Sequence, residues 1–328
     1  MENAKSKNSL SRRFSNSSIK QELIVIVIIL LVSTGLSMAR PNSFPTMLNI
    51  FNILKQASQY AVLSIGMGLV IITGGIDISV GGMISLSICL ATYVNRTWNG
   101  ISPFFMLLII FFTGLLVGFI NGILVAKAGV PLFVATMGML NVCNGFSLLL
   151  TNGTPIKYED TWISVFGGGY IGIIPVQVIV MLVMIFLAYI FSKYTVIGRN
   201  IYATGNNAKA AKLTGIKIDN ITILVYVISG LMSALVGLMM LGQLKQAGPS
   251  YGNGYELESI AAVVIGGISM TGGEGNMPGV ALGAILIALL KNLFVQLAVP
   301  GYWQTVVLGL VIIMSVAIDT VRTKKQAA

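Results

Sequence analysis

The sequence predicts an all-α, polytopic membrane protein of about ten transmembrane helices, with broken helices at Gly-rich segments. Three observations predict it. Only 9% of the 328 residues are charged and 55% are hydrophobic, whereas an average soluble domain is roughly 25% charged. Apolar runs of about 20 residues, long enough to cross a hydrocarbon core, recur along the chain between short polar breaks. The basic residues gather in alternate breaks, as they do in loops facing the cytoplasm.

The elements follow in order. Residues 1–22 form a basic arm rich in Ser and Asn, which runs into LIVIVIILLVSTGLSMA at 23–39. Such a pattern fits a cleavable signal, but with so many spans after it a retained first helix is expected. The chain turns outside from Arg40 to Pro45, and a second span runs from about Met47 to Ile72. Its first half carries Asn49, Asn52, Lys55, Gln56 and Gln59, so it should face protein or water, because polar groups facing lipid are costly. The span ends in TGGIDISVGG, and a short third one continues to Val94. Asn95–Ser102 is an outer loop, Pro103–Ala126 a fourth span, and Lys127 marks the return inside.

The fifth span, Leu132 to about Leu150, leads to an external segment, Thr151–Gly172, with Pro155, Glu159, Asp160 and a glycine cluster. That cluster contains Gly167-x-Gly169-x-x-Gly172. It is formally a dinucleotide pattern, but it lacks the preceding strand and following βαβ unit that would give it meaning. The sixth span, Ile173–Phe191, enters the longest polar stretch, Ser192–Asn220, and the seventh, Ile221–Gly242, leaves it. The eighth, Leu257 to Met270, is short for a crossing and ends in GGISMTGGEG. Pro278–Ala298 and Trp303–Val321 complete the ten, with a basic tail at 322–328. The domain reading is a single transmembrane domain over 23–321 between a cytoplasmic arm at 1–22 and a cytoplasmic tail at 322–328.

Charge placement sets the expected orientation. Fourteen of the twenty basic residues fall on one side. They are Lys5, Lys7, Arg12, Arg13, Lys20, Lys127, Lys193, Arg199, Lys209, Lys212, Lys217, Arg322, Lys324 and Lys325. Both termini and 192–220 therefore face the cytoplasm, and the net charge of +10 reports orientation in a lipid bilayer, with no nucleic-acid partner implied. The opposite side is balanced, with Arg40, Arg96, Lys157 and Lys245 against Glu159, Asp160, Glu256 and Glu258.

Several chemistries are excluded. Cys89 and Cys143 lie in apolar runs and the chain has no His, which removes the usual zinc, haem and Ser-His-Asp sites. No G-x-x-x-x-G-K-[ST] occurs, so the chain is not itself a P-loop ATPase. No catalytic residue, resident cofactor or metal site is expected. Asp77 is the one acid well inside an apolar context, and an intramembrane carboxylate is normally shielded or functional. Either it fixes a break beside a pathway, or Asp77 and Ser79 cap the third span; the two are compatible. Gly114, Gly118 and Gly122 on the fourth span, and Gly230, Ser233, Ala234 and Gly237 on the seventh, are spaced for close helix packing. Lys291, Asn292 and Gln296 either line a polar vestibule or let Lys291 snorkel to headgroups. GGIDISVGG at 74–82 echoes GGISMTGG at 266–273, which points to duplicated halves with interrupted helices beside a pathway. The expected pathway and gate residues are Gly74, Gly75, Asp77, Ser79, Gly266, Gly267, Gly272 and Gly273.

Three stretches carry a resemblance: LVIITGGIDISVGG at Leu69–Gly82, IGRNIYATGNNAKAAKLTG at Ile197–Gly215, and GYELESIAAVVIGGISMTGG at Gly254–Gly273. On them the chain resembles the membrane permease subunits of bacterial ABC importers for monosaccharides, of the ribose/xylose/arabinose/galactose type. The resemblance implies a cytoplasmic-membrane permease that pairs with a second copy, an extracytoplasmic sugar-binding protein, and a cytoplasmic ABC ATPase that binds the ATP and Mg. The implied cargo is a ribose-like monosaccharide. It also implies a coupling helix over Asn206, Asn207, Ala208, Lys209, Ala210, Ala211, Lys212, Leu213, Thr214 and Gly215. The residues are compatible: the alanines favour helix, Asn206 or Asn207 can cap its start, and Gly215 can end it. Lys209 departs from the acid that often precedes the paired alanines, giving a more basic surface. Glu256 and Glu258, with Thr151–Gly172, are candidate contacts for the binding protein or ordinary solvated ends. The alternatives are a stand-alone facilitator or secondary carrier, and an intramembrane transferase, for which the chain offers few acid–base groups.

Overall fold

A computed structural model describes residues 2–159 and 161–327, with side chains described for 20–159, 161–314, 316 and 317. Asp160 and the side chains of Lys5, Lys7, Arg12, Arg13, Arg322, Lys324 and Lys325 lie outside the described residues. The described chain is helical almost throughout. Its helices are α1 (Glu2–Ala39), α2 (Met47–Ile72), α3 (Val80–Thr97), α4 (Pro103–Ala126), α5 (Leu132–Thr151), a single-turn α6 (Val165–Gly168), α7 (Val176–Tyr194), α8 (Val196–Asn206), α9 (Ala208–Leu213), α10 (Ile218–Leu244), α11 (Tyr255–Ile265), α12 (Met277–Gln296) and α13 (Gly301–Ala327).

Among the described residues, six helical segments are each long and apolar enough to cross a membrane: Lys20–Ala39 within α1, and α4, α5, α7, α10 and α12. The other four expected spans are helical too, each with a physical reason for a weaker signal. α2 is 26 residues long but its first half is polar. α3 has 18 residues and α11 only 11, and the apolar part of α13 is Gly301–Met314. Helix starts follow local chemistry. Thr46 Oγ1 accepts from Asn49 N at 3.3 Å to cap α2, and Ser102 caps α4 just ahead of Pro103, a residue suited to the first helical position.

The strands are two-residue pairs. β1 (Ile156–Lys157) lies antiparallel to β4 (Gln246–Ala247), and β2 (Tyr170–Ile171) to β3 (Ile174–Pro175). The β1–β4 pair ties the expected external segment to the residues just after α10. Gly167 packs so closely there that a Cβ would run into the carbonyl of Met239, while Gly172 turns the β2–β3 hairpin at φ +61°. The glycine cluster is thus packing and turn, in keeping with a fortuitous dinucleotide match.

α2 and α10 form the centre, and from Ala57 to Ile72 every residue of α2 is buried. The glycine ladders meet each other. A Cβ on Gly114 would strike the carbonyl of Gly230, and one on Gly118 the carbonyl of Tyr226, so α4 and α10 cross with their backbones in contact. Small residues make that approach possible where no water is available to drive association.

α3 and α11 begin inside the bundle. Val80 follows Asp77, whose carboxylate meets Ser229 near the middle of α10. Tyr255, the first residue of α11, stacks beside Tyr60 near the middle of α2, with ring centroids 5.1 Å apart. The two helix starts touch through Gly81 and Gly252, where a Cβ on either would meet the other's carbonyl. Discontinuous helices meeting at mid-bundle are the architecture that transporters use to border a pathway.

Candidate functional site

The three motif stretches converge at one end of the bundle. Gly273 N donates to the carbonyl of Ile72 at 2.8 Å, which bolts the segment after α11 to the end of α2. Gly205, near the end of α8, fills the remaining space, since a Cβ there would run into the Ile72 carbonyl. Tyr202 Oη donates to the carbonyl of Gly275 at 3.0 Å. These three backbones thus meet in direct contact.

Each stretch also carries the same helix stop. After α2, Gly74 N donates to Ile71 O and Gly75 N to Val70 O; after α11, Gly267 N donates to Val264 O and Ile268 N to Val263 O; after α9, Gly215 N donates to Lys212 O and Ile216 N to Ala211 O. These are Schellman caps, which need a left-handed residue, and the glycines sit at φ +84°, +93° and +88°. The cap aligns Gly74 with Gly267, one residue from the register that the echoed motifs suggest. It also explains why α11 stops at Ile265 and not at Met270.

The polar stretch is more ordered than a loop. α7 runs on to Tyr194 and α10 starts at Ile218, so the expected 192–220 segment narrows to 195–217 and is mostly α8 and α9. α8 was not anticipated. Its signal is Thr195, whose Oγ1 accepts from Gly198 N at 2.9 Å, followed by Gly198, Ile201 and Thr204 buried on one face. In α9, Asn207 is the cap, its Oδ1 accepting from Ala210 N at 3.0 Å, while Asn206 ends α8. Ala211 faces the protein and is 5% exposed, whereas Leu213 stands 90% exposed. Ala208, Lys209, Ala210 and Lys212 share that open surface.

Asp77 is wholly buried. Its Oδ1 accepts from Ser79 N at 3.1 Å and Ser79 Oγ at 2.5 Å, and its Oδ2 from Ser229 Oγ at 2.8 Å. Asn121 Nδ2 completes the group by donating to Ser79 Oγ at 2.8 Å. The carboxylate holds the turn before α3 through Ser79 and ties that break to α10, and Ser79 carries the tie to Asn121 of α4. The expected cap is not formed as such, because Ser79 stands at the cap position of α3 with no side-chain cap hydrogen bond.

Two acids differ from their expected place at a solvated outer end. Glu258 is 5% exposed and pairs with Lys291 of α12. Lys291 also donates to Tyr60 Oη at 2.8 Å with its ammonium 5.2 Å from that ring, so it is held inside and does not snorkel outward. Glu256 is half-buried; its Oε1 accepts from Gly254 N at 3.3 Å, and its Oε2 lies where a Cβ on Gly81 would sit. The carboxylate thus stands between the starts of α3 and α11, where two positive helix ends favour a negative charge. Sequence reasoning missed both placements because the loop before α11 returns into the bundle.

A row of polar groups accompanies them along α2. Gln59 Nε2 donates to Gln243 Oε1 at 2.7 Å, and Gln177 Nε2 donates to the same oxygen at 3.0 Å. Tyr255 Oη donates to Gln59 Oε1 at 2.8 Å, and Gln56 Nε2 to Tyr60 Oη at 3.0 Å. Further along, Ser64 Oγ reaches Ser259 Oγ at 3.3 Å. Beyond it the row ends against Gly68, packed by Ile268, Val263 and Met277. Asn292 and Gln296 bond Asn49 at 2.7 Å and 3.1 Å.

Comparisons with known proteins agree with this architecture. A family profile described as branched-chain amino acid transport system / permease component matches residues 49–316. The chain is 37% identical over 313 residues to the ribose import permease protein RbsC of Haemophilus influenzae, covering 94% of this chain and 95% of that one. It is 36% identical to RbsC of Escherichia coli K12, covering 94% of each. With the galactose/methyl galactoside import permease protein MglC of H. influenzae it shares 30% identity over 97% of this chain and 99% of the relative. No solved structure matches. With broken helices at mid-bundle and matches across nearly its whole length, the chain belongs to this family of multi-pass membrane permease components of ABC importers.

Proposed function

We propose that this permease imports a monosaccharide such as ribose, handed over by an extracytoplasmic binding protein and driven by a cytoplasmic ATPase that docks on α9. The observation that carries the reading is the pairing of an exposed α9 with the glycine junction. Leu213 stands 90% exposed at the tip of a segment whose other end, Gly205, lies against both helix breaks. Asn206–Gly215 is then the coupling element, and Gly74, Gly75, Asp77, Ser79, Gly266, Gly267, Gly272 and Gly273 border the gate it moves. The names of the relatives, which concern ribose and galactosides, support a sugar over the amino acid in the family description.

The topology that goes with this reading has ten crossings, with the arm at 1–22, the 195–217 segment and the tail at 322–328 in the cytoplasm. Two copies form the pathway, and ATP and Mg are bound by the ATPase. The strand-tied Thr151–Gly172 segment is the better candidate surface for the binding protein, since Glu258 is buried and Glu256 is committed to helix ends. A chain with no phosphate-binding loop of its own needs such a partner to work uphill.

The test is Leu213→Glu, which adds a charge on a fully open surface. The protein should insert and keep its melting temperature, while ATP-dependent sugar uptake in the assembled transporter falls at least tenfold. Unchanged uptake would remove α9 as the docking site.

A further inference from the structure

We propose that Gln59, Tyr60, Gln177, Tyr255, Glu258 and Lys291 form a substrate-contact subsite for a neutral polyhydroxylated molecule on its way through the bundle. The inference rests on the sugar-import reading and adds to it the residues that would touch the cargo; Tyr255 and Glu258 lie in the third motif stretch and the other four outside all three.

The chemistry of the cluster argues for hydroxyl groups. Gln59 is 5% exposed and Gln177 wholly buried, and an amide both donates and accepts, as a hydroxyl does. Glu258 offers a further acceptor. Its Oε1 is taken by Lys291, but its Oε2 is buried and makes no hydrogen bond. An unsatisfied buried carboxylate oxygen is costly, and a hydroxyl donor relieves that cost. The two tyrosine rings, 5.1 Å apart and inclined at 53°, supply apolar faces for the C–H side of a sugar ring beside their own hydroxyls. Glu258 and Lys291 cancel each other, so the group carries no net charge to attract an ion.

The position fits a route. Gln243, at the strand-bearing end, is exposed and bonds Gln59; from there the polar groups lead inward through Tyr255, Glu258 and Lys291 to Ser64 and Ser259. The row passes between α2 and α11, and α11 is one of the two broken elements tied to the glycine junction. It stops at the apolar contact of Gly68, Ile268 and Met277. In this arrangement Gln59, Gln177, Gln243 and Tyr255 bond one another, while Glu258 Oε2 stays open. When α11 moves away from α2, the bond of Tyr255 to Gln59 is released and a substrate's hydroxyl takes its place.

The experiment measures uptake of D-ribose, D-xylose, D-galactose and L-leucine by the permease assembled with its ATPase and binding protein, for the wild type, Gln59→Leu and Tyr255→Phe. Copurification of each variant with the ATPase controls for folding. Gln59→Leu is expected to cut sugar uptake about tenfold, the loss typical of one hydrogen bond to a buried group. Tyr255→Phe, which removes a single hydroxyl, is expected to change the ratio between sugars, which a purely structural role would not do. Sugar uptake and selectivity unchanged in both variants would overturn the subsite while leaving the sugar reading intact. Wild-type uptake of leucine alone, or of none of the four, would overturn the sugar reading and the subsite with it.

Discussion

Gly205 and Gly215 lie ten positions apart and should respond differently to the same change. At Gly205 a Cβ meets the fixed backbone of Ile72 and Gly273, whereas at Gly215 it meets open space and only φ +88° resists it. Gly215→Ala should therefore cost about 1–2 kcal/mol, the penalty of a left-handed non-glycine residue. Gly205→Ala should cost more than the roughly 1–3 kcal/mol of ordinary overpacking, because backbone cannot give way, and it should impair the junction. Thermal unfolding in detergent ranks the two. Asp77→Asn keeps the size and one acceptor oxygen of the side chain, so the melting temperature should fall little. A transport loss above tenfold in that stable variant supports a gate role beyond the turn. At this scale the sequence was readable where chemistry is local. Asn207 as a cap and Gly215 as a stop depend on neighbours three or four residues away. Glu258 was not readable in this way, because its partner Lys291 is 33 positions on and Tyr60 belongs to another helix.

Among the elements, α11 is held by one ion pair whose halves can be separated experimentally. Lys291→Met strands the Glu258 carboxylate near mid-bundle. It should destabilise the protein by an amount toward the low end of the roughly 3–5 kcal/mol seen for buried pairs, since the Lys291 side chain is 27% exposed. Adding Glu258→Gln to Lys291→Met should recover most of that loss, as measured by a double-mutant cycle on melting temperature. If the double variant is no more stable than Lys291→Met alone, the pair is not what holds α11 to α12. Element boundaries came through well where caps are strong, as at Ser102 and Pro103 for α4. They failed for α8, whose polar composition hides a helix with a buried face, and for α11, where hydropathy continues past the residue at which Gly267 ends the helix. Apolar composition shows where a chain can be buried. It does not report a turn that a single left-handed glycine imposes.

The whole molecule is organised as two broken units joined at one end and opposed at mid-bundle, and the proposed topology gives that end to the cytoplasm. The native cysteines are buried, so introduced ones report cleanly. Lys157→Cys should react with a membrane-impermeant thiol reagent in intact cells, and Lys212→Cys only after the membrane is opened; the reverse pattern would invert the topology. The all-helical class and the family were legible from composition and three motif stretches. The mid-bundle meeting of Gly81 and Gly252 was not, because it depends on a loop re-entering the bundle. We propose that a separate ATPase drives this permease through α9. The most direct measurement is accumulation of labelled D-ribose in proteoliposomes. Uphill accumulation is expected only when ATP, the ATPase and the binding protein are all present. Rapid downhill flux through the permease alone, unaffected by adding the other components, would contradict it.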